Sequence, residues 1–153
     1  MPRFVSKQEL LDHKGKHLGY SDWLKIDQDR INRFADATLD HQFIHVDAEA
    51  ARQTPFGGTI AHGFLVLSLV PHLAQSIAVL PEGLQMGINY GLNKVRFLAP
   101  VKVDSEVRAG VRLHDVSERS AGHFLARSEI TIEIRGEERP ALIAESLVLY
   151  VTG

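Results

Sequence analysis

Apolar and polar residues alternate with a period of two in the second half of the chain, which is the pattern of strands with one buried face. The alternation is clearest in residues 130–134, which read Ile-Thr-Ile-Glu-Ile. Turn-forming residues separate the alternating segments at Ala99-Pro100, 117–122 and 136–140. We therefore predict four strands, at residues 86–97, 105–116, 124–134 and 142–151.

Helix signals dominate the first half. Ser6 stands three residues before Glu9, the spacing of a capping box, and Gly15 is placed to end the short helix that follows. Asp27 can cap a second helix. Its buried face would carry Ile31, Phe34 and Ala35. Between the two helices, residues 20–26 are predicted to form a strand.

The longest apolar segment covers residues 61–80, where we predict one helix of about 30 Å, buried on most sides. Pro71 lies inside this segment and should kink the helix. Residues 38–59 are predicted to be mostly irregular, apart from a short helix over 48–52. A long central helix followed by antiparallel strands is an α+β arrangement, and its sheet has edges that a second subunit could cover.

Length and composition narrow the class of protein. The 153 residues suit one domain, 1–153, with a single core. The chain has no cysteine, so disulfides, iron–sulfur clusters and thiolate nucleophiles are excluded, and we expect a reducing, cytoplasmic location. A net charge of −2 without a basic run argues against nucleic acid or an anionic membrane as a partner. We expect neither a secretory signal nor a membrane-spanning segment.

Candidate chemistry is concentrated in residues 40–47, which read Asp-His-Gln-Phe-Ile-His-Val-Asp. On a helix, Asp40 and His45 would point about 140° apart, so they can act on one water molecule only if the segment is a loop. Spacing alone favours a simpler interpretation. In that interpretation Asp40 ends a helix, Asp47 caps the next helix, and His45 is a buried hydrogen-bonding residue.

The same segment offers candidate metal ligands, because His41 and His45 have H-x3-H spacing and His62 could supply a third ligand. The segment does not look helical and there is no H-E-x-x-H motif, so we predict no metal. His41 is expected to be solvated. His62 is expected to be structural or to form part of a pocket wall.

Gly63 opens the long apolar segment. The first turn of a helix has unpaired N–H groups and the positive end of the helix dipole, and a glycine lets a ligand oxygen approach the backbone closely. Such a position suits a thioester carbonyl that gains negative charge during a reaction. Close packing of the helix start against the sheet explains Gly63 equally well.

Residues 38–47 read Thr-Leu-Asp-His-Gln-Phe-Ile-His-Val-Asp, and residues 60–63 read Ile-Ala-His-Gly. These two motifs, in this order along the chain, resemble those of the MaoC-like dehydratases, the (R)-specific enoyl-CoA hydratases. Residues 89–101 resemble the strand and turn of the nodulation-protein-N-like branch of that family. The resemblance implies a hotdog fold, a homodimer and an active site between the subunits.

Carried over by position, the resemblance implies that Asp40 and His45 are the catalytic pair and that the Gly63 N–H binds the thioester carbonyl. The pair would hold one water molecule, which adds to the β-carbon of a trans-2-enoyl thioester and gives the (R)-3-hydroxyacyl product. The substrate would be an acyl-CoA or acyl-carrier-protein thioester, and no cofactor is required. The residues expected to bind substrate are Gln42, His62 and Phe64.

Two positions depart from the usual family pattern. Leu39 stands where the family usually has glycine, so Leu39 would be strained if its φ is positive. Gln42 and Phe43 replace the usual Asn-Pro, as in the nodulation-like branch. Both departures affect the expected shape of the pocket more than the expected reaction.

The sequence is also compatible with two alternative functions, because one fold can host several activities. The first is an acyl-CoA thioesterase, and the second is a non-catalytic acyl-thioester-binding protein. Some apolar side chains of the long segment could line an acyl tunnel, although most of them are expected to belong to the core. The residues concerned are Phe64, Leu65, Leu67 and Leu69.

Overall fold

The computed structural model describes residues 1–153 as six helices and eight strands. The helices are α1 (Lys7–Asp12), α2 (Gln28–Thr38), α3 (Phe43–Val46), α4 (Ala48–Ala51), α5 (Gly63–Ser68) and α6 (Val70–Gln75). The strands are β1 (Arg3–Val5), β2 (His17–Tyr20), β3 (Leu24–Lys25), β4 (Val79–Pro81), β5 (Leu84–Phe97), β6 (Glu106–Ser120), β7 (His123–Ile134) and β8 (Leu142–Thr152).

Six strands form one antiparallel sheet in the order β2-β6-β7-β8-β5, with β3 also paired to β6. β1 and β4 pair in parallel as a separate two-stranded sheet. The four strands predicted in the second half are confirmed, and their bounds differ from the predicted ones by no more than four residues at any end. The α+β prediction is also confirmed.

The main core lies between the inner face of the sheet and the helices α5 and α6. Alternate side chains of β6 and β7 point into it, as the period-two pattern requires. Burying one Leu, Ile or Val side chain contributes about 1.5–3 kcal/mol, so this contact holds the helices on the sheet. The fully buried members of the core include Ile26, Ile31, Val107, Ile132 and Leu142.

Three predicted helix caps are present. The side chains of Ser6, Asp27 and Asp47 each accept a hydrogen bond from the backbone N–H three residues later, at 3.2, 2.9 and 3.0 Å. These bonds satisfy N–H groups that a helix start leaves unpaired, which fixes where α1, α2 and α4 begin. α1 ends at Asp12, and Gly15 lies in the following turn with a φ of 84°.

The prediction of one helix over residues 61–80 is wrong in length and continuity. α5 and α6 are separated at Leu69, two residues before Pro71, whose missing N–H cannot continue the helical hydrogen bonds. The helical part ends at Gln75, so the two helices together span about 20 Å. Residues 79–81 form β4 because β1 pairs with them. None of the six helices is both long enough and apolar enough to cross a bilayer.

The predicted strand over residues 20–26 is also wrong in extent. It is split into β2 and β3, which both pair with β6. Between them, the Oγ of Ser21 accepts the N–H of Ala109 at 2.9 Å, so a side chain replaces a backbone acceptor in the ladder. The prediction missed β1, β4 and α3, which are only three or four residues long.

Candidate active site

Asp40 is presented by an unusual helix end. α2 terminates at Leu39, which has a φ of 65° and a ψ of 19°, the left-handed conformation that most often holds glycine at this position. This turn directs the chain away from the helix axis and leaves Asp40 exposed. One carboxylate oxygen of Asp40 accepts the backbone N–H of Gln42 at 3.3 Å. The positive φ considered for Leu39 from the sequence is therefore present.

His45 is buried, with 7% of its surface exposed. Its Nδ1 lies 2.7 Å from the backbone oxygen of Ile60. A carbonyl only accepts, so Nδ1 carries the proton and Nε2 keeps its lone pair. Burial lowers the pKa of His45 below its ordinary value of 6.5, although the bond to Ile60 and the charge of Asp40 act in the opposite direction. The ring is therefore neutral near pH 7 and can accept a proton at Nε2.

The backbone around His45 is held by a polar network that was not predicted from the sequence. The side-chain amide of Gln28 donates to the backbone oxygen of His45 at 2.7 Å. The hydroxyl of Thr59, which is 2% exposed, donates to the side-chain oxygen of Gln28 at 2.6 Å. The first bond ties α3 to the first turn of α2, and the second ties the segment before α5 to the same Gln28 side chain. The sequence offered no signal for them, because Gln28 and His45 are 17 residues apart.

His62 lies directly behind the pair. Its ring stacks on His45 with centroids 3.8 Å apart and planes inclined by 22°. Its Nε2 lies 3.0 Å from the backbone oxygen of Asp40. Its Nδ1 is buried and has no hydrogen-bond partner. The sequence predicted that His62 is a structural or pocket-wall residue, but it did not predict these specific contacts.

Three candidate ligand atoms, one each from Asp40, His45 and His62, lie within 4.8 Å of one another. A metal binds a histidine in the plane of the ring, along the lone pair of the nitrogen. The rings of His45 and His62 are stacked with their planes inclined by only 22°, so an ion at ligand distance from both rings would lie outside the plane of at least one of them. The cluster is better suited to one water molecule, about 2.8 Å from each acceptor, than to a tetrahedral metal ion.

Gly63 is the first residue of α5, as predicted. The first N–H of a helix has no acceptor within the helix, and that of Gly63 donates to no other backbone carbonyl. A Cβ at this position would lie 3.0 Å from the ring of Phe97 on β5. Both explanations given for Gly63 therefore have support, since the N–H is free and the backbone is closely packed.

A cavity of about 850 Å³ lies between α6, β4 and the inner face of β5, β7 and β8. Small residues on the sheet leave this space open, among them Gly87, Ser128, Ala144 and Ser146. Asp40, His45 and Gly63 do not line the cavity, but Leu67, about one turn beyond Gly63, does. The cavity and the Asp40–His45 pair thus lie at opposite ends of α5.

The other residues expected at the substrate site are dispersed. Gln42 is exposed and its side chain caps nothing, and Phe64 is 68% exposed and packs against Phe97 with ring centroids 5.9 Å apart. Of the residues considered for an acyl tunnel, Leu67 lines the cavity, whereas Leu65 and Leu69 belong to the core. His41 is exposed and binds Asp36 instead of being only solvated.

Comparison with known proteins fits this geometry. The sequence pattern of the MaoC-like domain matches residues 10–133. The chain belongs to the MaoC-like domain family. This MaoC-like protein is 48% identical over 151 residues to 3-hydroxyacyl-thioester dehydratase Z of Mycobacterium tuberculosis, covering 99% of each chain. It is 49% identical over 138 residues to Nodulation protein N of Rhizobium leguminosarum bv. viciae, covering 88% of this chain and 84% of that one.

Among solved structures, the MaoC-like protein is similar to an (R)-hydratase from A. caviae involved in PHA biosynthesis. The two are 26% identical, with a TM-score of 0.68, and the match covers 85% of this chain and 93% of that chain. The fold and the family implied by the sequence resemblance are thereby confirmed, including the hotdog arrangement of helix and antiparallel sheet.

Proposed function

We propose that this protein adds water to trans-2-enoyl thioesters and, in reverse, removes it from (R)-3-hydroxyacyl thioesters. The observation that carries the proposal is the pairing of a buried, neutral His45, whose Nε2 is free, with the exposed carboxylate of Asp40. A 48% identical relative is named a 3-hydroxyacyl-thioester dehydratase, and a similar structure is an (R)-hydratase. These names support the reaction and its stereochemistry.

Asp40 and His45 act together on one water molecule in this proposal. Nε2 of His45 and the carboxylate of Asp40 accept the two hydrogens of the water, which directs its oxygen at the β-carbon. As the new carbon–oxygen bond forms, one proton passes to the pair. The pair then delivers a proton to the α-carbon on the same face, so that the product contains one added water.

The Gly63 N–H stabilises the thioester oxygen while the α-carbon awaits its proton. During the addition, negative charge moves from the water to that oxygen and forms an enolate-like state. A fixed backbone donor that strengthens its hydrogen bond as this charge develops lowers the barrier more than it stabilises the bound substrate. The free N–H at the start of α5 supports this assignment.

The 850 Å³ cavity is proposed to receive the acyl chain of a CoA or carrier-protein thioester. Its volume falls within the 300–1,000 Å³ of typical ligand pockets. Phe64, beside Gly63, and Gln42, near Asp40, are exposed and are proposed to border the path of the thioester. His62 is 2% exposed and lies behind the pair, so it is not proposed to contact the substrate.

A homodimer is proposed to complete the site. β5 pairs only with β8, so its other edge carries unpaired backbone groups along 14 residues. An edge of this length is normally covered. Its large apolar side chains are 42–62% exposed in the single chain, namely Met86, Ile88, Tyr90, Leu92 and Phe97. Because Phe97 contacts the position of Gly63, a partner on β5 would lie next to the pair. We also propose that residues 1–153 act as one MaoC-like domain.

The direct test is incubation of the purified protein with trans-2-enoyl-CoAs of several chain lengths, with Asp40→Asn as the control. We expect the ultraviolet absorbance of the conjugated enoyl thioester to fall, and chiral analysis of the product to give the (R)-3-hydroxyacyl thioester. Release of free thiol without formation of a 3-hydroxyacyl thioester would instead identify a thioesterase, which also consumes the conjugated thioester. Saturable ligand binding without turnover would identify a non-catalytic binding protein.

A further inference from the structure

His62 takes no part in the proposed step, yet it is almost completely buried beside the pair. It is 2% exposed. Its ring lies between two others, with centroid distances of 3.8 Å to His45 and 4.9 Å to Phe34. The two neighbours fix the plane of the His62 ring, and the close stack in turn restricts the ring of His45.

The hydrogen bonds of His62 are made on one side only. Nε2 lies 3.0 Å from the backbone oxygen of Asp40, and a carbonyl can only accept, so Nε2 carries the proton. Nδ1 then holds a lone pair that no donor reaches and that does not contact water. A buried acceptor without a partner destabilises the fold, so the stability of the fold alone does not account for a histidine here.

We propose that His62 is a positioning residue that fixes the separation and orientation of Asp40 and His45. One ring holds the backbone of Asp40 through its N–H and the imidazole of His45 through its face. Because Asp40 follows the exposed left-handed turn at Leu39, its backbone makes no other contact of this kind with the buried part of the site.

Neither phenylalanine nor glutamine combines these two contacts. Phenylalanine would keep the stack on His45 and lose the donor to Asp40. Glutamine could keep a donor but would lose the ring, and with it the apolar cover on the face of His45. The two substitutions therefore separate the two contacts of His62, and each has its own measurable consequence.

The surroundings of His45 make its titration a clean measure of the stack. The titratable groups that face it are Asp40 and His62, and the other side chain and backbone groups around it, from Gln28 and Ile60, are uncharged. Burial lowers the pKa of His45, with His62 contributing in the same direction. Replacing the ring by a smaller side chain admits water and should raise that pKa towards 6.5.

The test compares the full chain carrying His62→Phe, His62→Gln or the matched control His114→Phe, which lies on the exposed face of β6. Enoyl-CoA hydration gives kcat and KM, thermal unfolding gives Tm, and the nitrogen-15 signals of the histidine rings give the pKa of His45. The activity measurement rests on the proposed function, whereas the titration of His45 does not. A wild-type protein without turnover would refute the proposed function and leave the titration to decide the role of His62.

For His62→Phe we expect kcat to fall by roughly 10–10²-fold, the effect of misplacing a reacting group by about 1 Å. KM should stay within about threefold and Tm within about 4 °C, and the pKa of His45 should rise only by what loss of the His62 charge contribution allows. For His62→Gln we expect the pKa of His45 to rise further than in His62→Phe, because the smaller side chain also admits water. His114→Phe should match the wild type in all three measurements.

Two results would overturn the inference. The first is an unchanged kcat in His62→Phe, which would show that the bond to Asp40 does not position the pair. The second is a pKa of His45 that is no higher in His62→Gln than in His62→Phe, which would show that the stack does not enclose the base. A kcat that falls only as far as the folded fraction falls would also count against it, because a purely structural residue would behave in that way.

Discussion

Leu39 offers a stability gain that can be worked out from its backbone. Its φ of 65° costs an ordinary L-residue about 1–2 kcal/mol relative to the right-handed region, and glycine does not bear this cost. Glycine also makes the unfolded chain more flexible, which costs about 0.4–1 kcal/mol. Little burial is lost, because the side chain is 80% exposed. Leu39→Gly should therefore raise the free energy of unfolding by about 0.5–1 kcal/mol.

Leu39→Ala is the matched control, because it removes the exposed side chain and keeps the left-handed strain. We expect it to change stability by no more than about 0.5 kcal/mol. Thermal and urea unfolding followed by circular dichroism would measure both variants, and Leu39→Gly should raise Tm by about 1–4 °C. If Leu39→Gly lowered the free energy of unfolding by more than about 1 kcal/mol, the backbone of Leu39 would not be strained. A similar loss in the alanine variant would show that a partner buries Leu39.

The remaining predictions concern the pair, the helix start, the sheet edge and pH. Asp40→Asn and His45→Gln should each lower kcat by roughly 10²–10⁴-fold. The double variant should be little worse than either single variant, since the effects of residues that act as a unit are not additive. If the two losses in kcat multiply instead, the residues act in separate steps of the reaction. Gly63→Ala keeps the backbone N–H but places a Cβ 3.0 Å from the Phe97 ring, and should lower kcat/KM by more than any loss of folded protein explains. Unchanged kinetics would show that the mechanism does not need a glycine at this helix start. Ile88→Asp should yield monomers by light scattering, and an intact dimer would exclude the β5 edge as the interface. Tm should fall as the pH drops below 6.5, because burial lowers the folded-state pKa of His45 and the unfolded chain takes up the proton first. kcat/KM should fall only at lower pH, where His45 of the folded enzyme is itself protonated; flat profiles would contradict both expectations.

Features set by nearby residues were predictable from the sequence. The caps at Ser6, Asp27 and Asp47 depend on a side chain and a backbone N–H three residues apart, so the pattern contains both partners. The long strands were predictable because the alternation of β6 and β7 continues over many residues. The strained turn at Leu39 could also be anticipated, from a family position that is usually glycine.

Features set by distant partners were not predictable. Val79–Pro81 is apolar enough for a helix. It forms a strand only because Arg3–Val5, more than 70 residues earlier in the chain, pairs with it. The same holds in the candidate site. The sequence motif indicated Asp40 and His45, but the contacts of Gln28 and His62 with them arise from packing between separate elements. His45 itself lies on α3, a helix too short for periodicity to reveal.

The strands β2 and β3 cannot pair until the ribosome has synthesised β6, much later in the chain. β2 and β3 both hydrogen-bond to β6, and the bond between Ser21 and Ala109 joins residues 88 positions apart. At about 5–20 residues per second, a ribosome needs roughly 4–18 s to make the partner of this segment. During that interval Leu10, Ile26 and Ile31, which are fully buried in the finished protein, have no sheet to pack on. The nascent N-terminal region is therefore the part of this chain most exposed to chaperones and proteases before folding is complete.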